Sequence, residues 1–134
     1  MAYNLSLEFD LPAKPARIMQ LLTDSALIRK WSGGEGTVET KPGGKFEMFD
    51  GWVFGEVIQA SPTELSYTWK TTDWDEAAAP STVHYVLKAD EDGTKLLLTH
   101  TGFPDQAEMD EHKNGWTDYF FQPMEDFIMV FDKR

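Results

Sequence analysis

The chain has 134 residues, 23 of them acidic and 12 basic, for a formal net charge of −11 at pH 7. Such a surface repels phosphate, so neither nucleic acid nor an anionic membrane is expected as a partner, and the charge serves solubility. The absence of cysteine excludes disulfides and thiolate chemistry, no apolar run approaches the roughly 20 residues that span a bilayer, and Met1 to Glu8 lack a basic leader pattern. A soluble, cytoplasmic chain is expected, and its length suits one domain over residues 1–134.

The period-two pattern from Tyr3 to Phe9 predicts a strand. Pro15 then suits a first helical turn, and Ile18, Leu21 and Leu22 carry the helical spacing to Thr23. Asp24 or Ser25 can cap a second short helix from Ala26 to Trp31, which Gly33, Gly34 and Gly36 bring to an end. Six strand-like runs come next, at Gly36–Thr40, Lys45–Phe49, Trp52–Ala60, Glu64–Thr71, Thr82–Ala89 and Lys95–Thr101. Asp50-Gly51 and Asp92-Gly93 are tight-turn signals between them, and a polar loop from Asp73 to Pro80 separates the fourth from the fifth.

The last third changes period. Asp105 and Glu108 have capping-box spacing. Beyond them Met109, Trp116, Phe120, Met124, Phe127 and Phe131 share one helical face, with Tyr119, Ile128 and Val130 beside it. Gly115 costs about 1 kcal/mol relative to alanine in a helix and Pro123 about 3 kcal/mol or a kink, so a long helix bent near Pro123 is expected. Lys133 and Arg134 at its end suit the helix dipole.

A helix with so broad an aromatic face must cover an apolar surface, and the strands offer one. Leu65, Tyr67 and Trp69 share a face, as do Val83, Tyr85 and Leu87, and Leu96, Leu98 and His100; the opposite faces are mainly polar. The fold class is therefore α+β, a curved antiparallel sheet wrapped around a long C-terminal helix, with two short helices after the first strand.

Several strings stand in this order: Leu27-Ile28-Arg29-Lys30-Trp31, Gly43-Gly44-Lys45-Phe46, Gly55-Glu56-Val57-Ile58, Leu65-Ser66-Tyr67-Thr68-Trp69, Thr99-His100-Thr101-Gly102-Phe103 and Gly115-Trp116. Together with the element order they resemble the SRPBCC (START-like, helix-grip) superfamily, in the branch similar to the C-terminal domain of the activator of heat-shock protein 90 ATPase. The resemblance implies a cavity between helix and sheet for an apolar small molecule. It also implies, as an alternative, a chaperone-associated or stress-response module acting through its surface, and, as a further one, a cyclase- or isomerase-like enzyme.

The candidate cavity lining runs along the inward faces: Trp31 from the second helix, then Phe46 and Met48 from the third strand. The later strands add Tyr67, Trp69, Tyr85, Leu98 and His100, and the long helix adds Trp116, Tyr119 and Phe120. A dry void of about 300 Å³ would cost roughly 7 kcal/mol, comparable with the stability of a whole domain, so the gap must be filled, wet or occupied. Tyr67, Tyr85, Tyr119 and His100 could hydrate it, with an entrance near Trp31, the Asp73–Pro80 loop and the start of the long helix. A histidine on an apolar face is usually a hydrogen-bonded core residue, so no catalytic residue is assigned to His100. His84 and His112 are expected to face solvent. The Glu108–His112 pair lacks a second ligand pair, and the glycine strings lack phosphate-loop context, so no metal and no cofactor is expected.

Overall fold

The computed structural model describes residues 3–132. The helix-dipole complementarity expected of Lys133 and Arg134 therefore lies outside the described residues. Strand β1 (Leu5–Leu11) is followed by helices α1 (Pro15–Thr23) and α2 (Ser25–Ser32). Six strands come next: β2 (Thr37–Val38), β3 (Lys45–Met48), β4 (Val53–Ala60), β5 (Glu64–Thr71), β6 (Ser81–Asp90) and β7 (Gly93–Thr101). Helix α3 (Gln106–Gly115), a π-helical turn (Trp116–Phe121) and helix α4 (Gln122–Phe131) complete the fold.

The seven strands form one antiparallel sheet in the order β1-β7-β6-β5-β4-β3-β2. Strands β2 to β7 are a meander in which each pairs with the next, and β1 closes onto β7 with Leu7 opposite Leu98. The two short helices thus carry the chain from one sheet edge to the other. Local chemistry explains their limits. The Asp24 carboxylate accepts the Leu27 N–H at 3.1 Å, and Gly33, in the left-handed region at φ 79°, caps the end of α2 by donating its N–H to Arg29 O.

The C-terminal segment lies on the apolar side of the curved sheet, as its aromatic face requires. Phe121 stacks on Phe9 of β1 at 4.4 Å, and Trp116 packs on Trp69 of β5 at 4.8 Å. The fully buried centre includes Phe46, Leu65, Tyr67, Tyr85, Leu96 and Leu98.

Three expectations need correction. The β6–β7 turn is made by Glu91 and Asp92, because Asp90 pairs with Gly93, which already belongs to β7. Gly93 is required for another reason: a Cβ there would lie 2.1 Å from Leu11 O. The strand expected over Gly36–Thr40 is only two residues long.

The third correction concerns helix phase. A proline inside an α-helix clashes with the carbonyl four residues back. Here the Gln122 N–H bonds Thr117 O, five residues back, so a π turn ends just ahead of Pro123, which falls in the first turn of α4. The wide turn inserts one residue into the repeat and rotates the side chains of α4 about the helix axis. Phe120 and Phe121 are both buried, Ile128 replaces Phe131 on the inner face, and Tyr119, Val130 and Phe131 are exposed. Tyr119, expected inside, points outward at 70% exposure because it falls on the far side of the π turn.

The phase shift has a measurable consequence. Phe121→Ala should destabilise the fold by about 3–5 kcal/mol, whereas Tyr119→Ala should change stability by no more than about 0.5 kcal/mol. Urea unfolding of both variants checks this, and similar losses at the two positions would contradict the assigned phase.

Candidate functional site

The β3–β4 hairpin brings Phe49 and Trp52 to either side of the Asp50-Gly51 tip. Phe49, Asp50 and Gly51 all have positive φ, at 53°, 60° and 89°. An aromatic residue in the left-handed region carries real backbone strain. The tip is pinned from below: Asp50 accepts the Glu35 N–H at 2.9 Å and returns its own N–H to Glu35 O at 3.0 Å. This hairpin faces the α3–π junction across a cleft of about 280 Å³.

Trp69, Trp116 and Phe120 give the cleft its deep aromatic wall, with Phe49 and Trp52 opposite. Gly115 leaves room on the helix side, and Tyr119 stands at the exposed rim. Polar groups reach it from Asp73, Glu108, Glu111 and His112.

Each tryptophan N–H has an acceptor. Trp31 donates to Leu21 O at 2.7 Å, Trp52 to Asp73 Oδ2 at 2.7 Å and Trp74 to Glu108 Oε1 at 2.7 Å. The two deepest indoles use histidines: Trp69 donates to His112 Nε2 at 3.1 Å, and Trp116 to His100 Nδ1 at 3.2 Å. These bonds assign the tautomers. His112 accepts at Nε2 and so carries its proton on Nδ1, which donates to Glu108 O at 2.9 Å. Ser81 Oγ donates to Trp69 O at 2.7 Å and therefore accepts from His100 Nε2–H at 2.8 Å. Both imidazoles are neutral. Burial lowers the pKa of His100 to about 2, helped by His112 nearby, and burial also lowers that of His112 against the opposing pull of Glu108.

The residues expected to line a cavity fall into two groups. Trp69, Trp116, Phe120 and Tyr119 border the cleft. Trp31, Phe46, Met48, Tyr67, Tyr85, Leu98 and His100 are buried core instead. Phe46 lies flat on Tyr67 with ring centres 3.7 Å apart, and the Tyr67 and Tyr85 hydroxyls bond each other at 2.5 Å. Burial raises the pKa of both tyrosines. Among the described residues no buried side-chain nitrogen or oxygen lacks a partner, so these hydroxyls and the His100 ring are not left to hydrate a pocket.

His112, expected at the surface among acidic neighbours, is buried. It stands one turn before Trp116 and two before Phe120, a spacing that could have placed it on the inner face. The entrance also moves: Trp31 does not border the cleft, whereas Phe49 and Trp52 do. Their positions flanking Asp50-Gly51 were the available signal.

The family described as Activator of Hsp90 ATPase homolog 1-like protein matches residues 12–128. The chain belongs to that family. Within the SRPBCC superfamily, this Activator of Hsp90 ATPase homolog 1-like domain is 28% identical over 121 residues to the human activator of 90 kDa heat shock protein ATPase homolog 1, covering 89% of the chain and 35% of that protein. It thus spans about a third of the length of the curated relative. Among solved structures, an HSP90 activator from Plasmodium falciparum is 30% identical with a TM-score of 0.81, covering 96% of each chain. A protein from Mesorhizobium loti is 27% identical with a TM-score of 0.83, covering 96% of this chain and 98% of that one.

The neutral histidines make stability depend on pH. The unfolded chain protonates its histidines near pH 6.5, the folded one far lower for His100, so unfolding takes up protons as pH falls and stability drops below about pH 6.5. His100 alone should account for a loss of about 2 kcal/mol between about pH 6.5 and 5. Urea midpoints across this range should fall, and less steeply in His100→Gln; an unchanged slope in that variant would place the proton uptake elsewhere.

Proposed function

We propose that this domain binds a small aromatic or apolar molecule in the cleft between the β3–β4 hairpin and the α3–π junction. The carrying observation is the ring-lined cleft itself, open at an exposed rim and held by a strained hairpin tip. Strained backbone recurs at ligand clamps, and here it points Phe49 at the cleft. A volume of about 280 Å³ lies near the low end for ligand sites, about 300 Å³, and suits one or two fused rings better than a long acyl chain.

The chemistry supports binding rather than turnover. Both nitrogens of His112 and both of His100 are engaged inside the protein, so neither offers a free base to a bound molecule. In this reading the chain works in the cytoplasm as one domain.

A second reading, an Hsp90-associated module acting through its surface, is favoured by the likeness to the Plasmodium falciparum HSP90 activator and to the human relative. The two readings separate at Gly115. It has helical dihedrals, and a Cβ there meets nothing closer than Tyr119 Cδ2 at 3.9 Å, so Gly115→Leu can enter the cleft without displacing backbone. N-phenylnaphthylamine should brighten on binding the native protein and bind Gly115→Leu at least about tenfold more weakly. Melting temperature should hold or rise, since leucine stabilises a helix by up to about 1 kcal/mol relative to glycine. Undiminished probe binding would remove the cleft from the proposal. Hsp90 capture that survives Gly115→Leu would favour the surface reading.

A further inference from the structure

We infer that the cleft selects positively charged ligands: an aromatic ring bearing a protonated amine. This rests on the cleft being the binding site, and adds the charge of its occupant.

The polar edge of the cleft is made of acceptors. Asp73, Glu108 and Glu111 border it, and among the described residues no lysine or arginine does. The indole and imidazole N–H groups on the lining are already engaged: Trp52 with Asp73, Trp69 with His112, Trp116 with His100, and His112 with the Glu108 carbonyl. A ligand carboxylate or phosphate would meet carboxylates and find only the Tyr119 hydroxyl, at the exposed rim, as a side-chain donor. Its desolvation would go uncompensated.

For a cation the same surroundings are favourable. The indole and phenyl faces of the wall attract an ammonium group through their quadrupoles, and the carboxylates hold opposite charge at the mouth. Asp73 and Glu111 are both exposed on the cleft lining, so their carboxylates sit where an incoming ligand first meets the protein, and Asp73 uses Oδ2 to hold Trp52 there. The net charge of −11 adds long-range attraction for a cation and repulsion for an anion. Neutral His112 contributes no opposing positive charge.

The test is a matched series on the full chain, read by titration calorimetry and by chemical shifts of the indole N–H signals. Tryptamine, uncharged ethylindole and anionic indolepropionate share one ring system. Tryptamine should bind about tenfold tighter than ethylindole, and indolepropionate weakest of the three. Glu111→Gln and Asp73→Asn, whose amide oxygen still accepts from Trp52, should each weaken tryptamine several-fold more than they weaken ethylindole. Ethylindole or indolepropionate binding as tightly as tryptamine, or tryptamine indifferent to both substitutions, would overturn the charge selection while leaving the cleft as a binding site. If none of the three shifts the Trp52, Trp69 or Trp116 signals, the binding reading itself fails.

Discussion

The need of each buried indole for a hydrogen-bond acceptor organises this interior. An unpaired N–H in such surroundings costs about 1–3 kcal/mol, so Trp69 and Trp116 cannot pack on each other unless both donors are met. Two histidines meet them, and they can do so only when neutral. His100 ties β7 to the π turn through Trp116, and to β6 through Ser81. His112 ties α3 to β5 through Trp69. The helix is thereby fixed on the sheet by directional bonds as well as by ring packing. Those bonds also hold both imidazoles uncharged and leave the adjoining cleft without free indole or imidazole N–H donors.

A second constraint comes from Pro123. The π turn that accommodates it delivers two consecutive phenylalanines inward, with Phe120 against Trp31 and Phe121 against Phe9. It also sends Tyr119 to the rim. The turn lies at the cleft, where the widened helix supplies Trp116, Tyr119 and Phe120 to the lining. Backbone irregularity thus lies on both walls of the cleft, since the opposing hairpin carries the positive-φ residues Phe49 and Asp50. π turns recur at functional sites because they free a helix from its regular side-chain spacing.

Most of the fold was legible because its signals are local and repeated. The alternation in Glu64–Thr71 marked the bounds of β5, and Pro15 with Ile18, Leu21 and Leu22 marked those of α1. The site was less legible because it depends on where elements meet. Trp69, Trp116 and Phe120 were found as members of apolar faces, but nothing in their spacing separates a residue at the end of the core from one at its centre. Tyr67 and Tyr85 looked like polar lining until the structure showed each hydroxyl facing the other. Tyr119 and His112 were exchanged between inside and outside for opposite reasons. A regular 3.6-residue repeat does not foresee a π turn, and acidic neighbours masked the inward spacing of His112 from Trp116.

The location of the cleft is set by the energetics of the gap between helix and sheet. A dry void of ligand size in mid-core would consume most of the stability of a domain this size, and the interior is instead crowded with rings such as Phe46 on Tyr67. At the end of the sheet the penalty disappears, because a cleft that opens to solvent is wet when empty. Its two walls need only tolerate a change of contents, and Trp69 and Trp116 on the deep wall and Trp52 opposite tolerate it because their N–H groups are bonded within the protein. On the proposed reading, ligand entry displaces water from aromatic faces without breaking an internal bond. On that reading, a preformed wall whose indole N–H groups are already engaged discriminates by ring shape at its base and by charge at its mouth, two selections carried by separate residues.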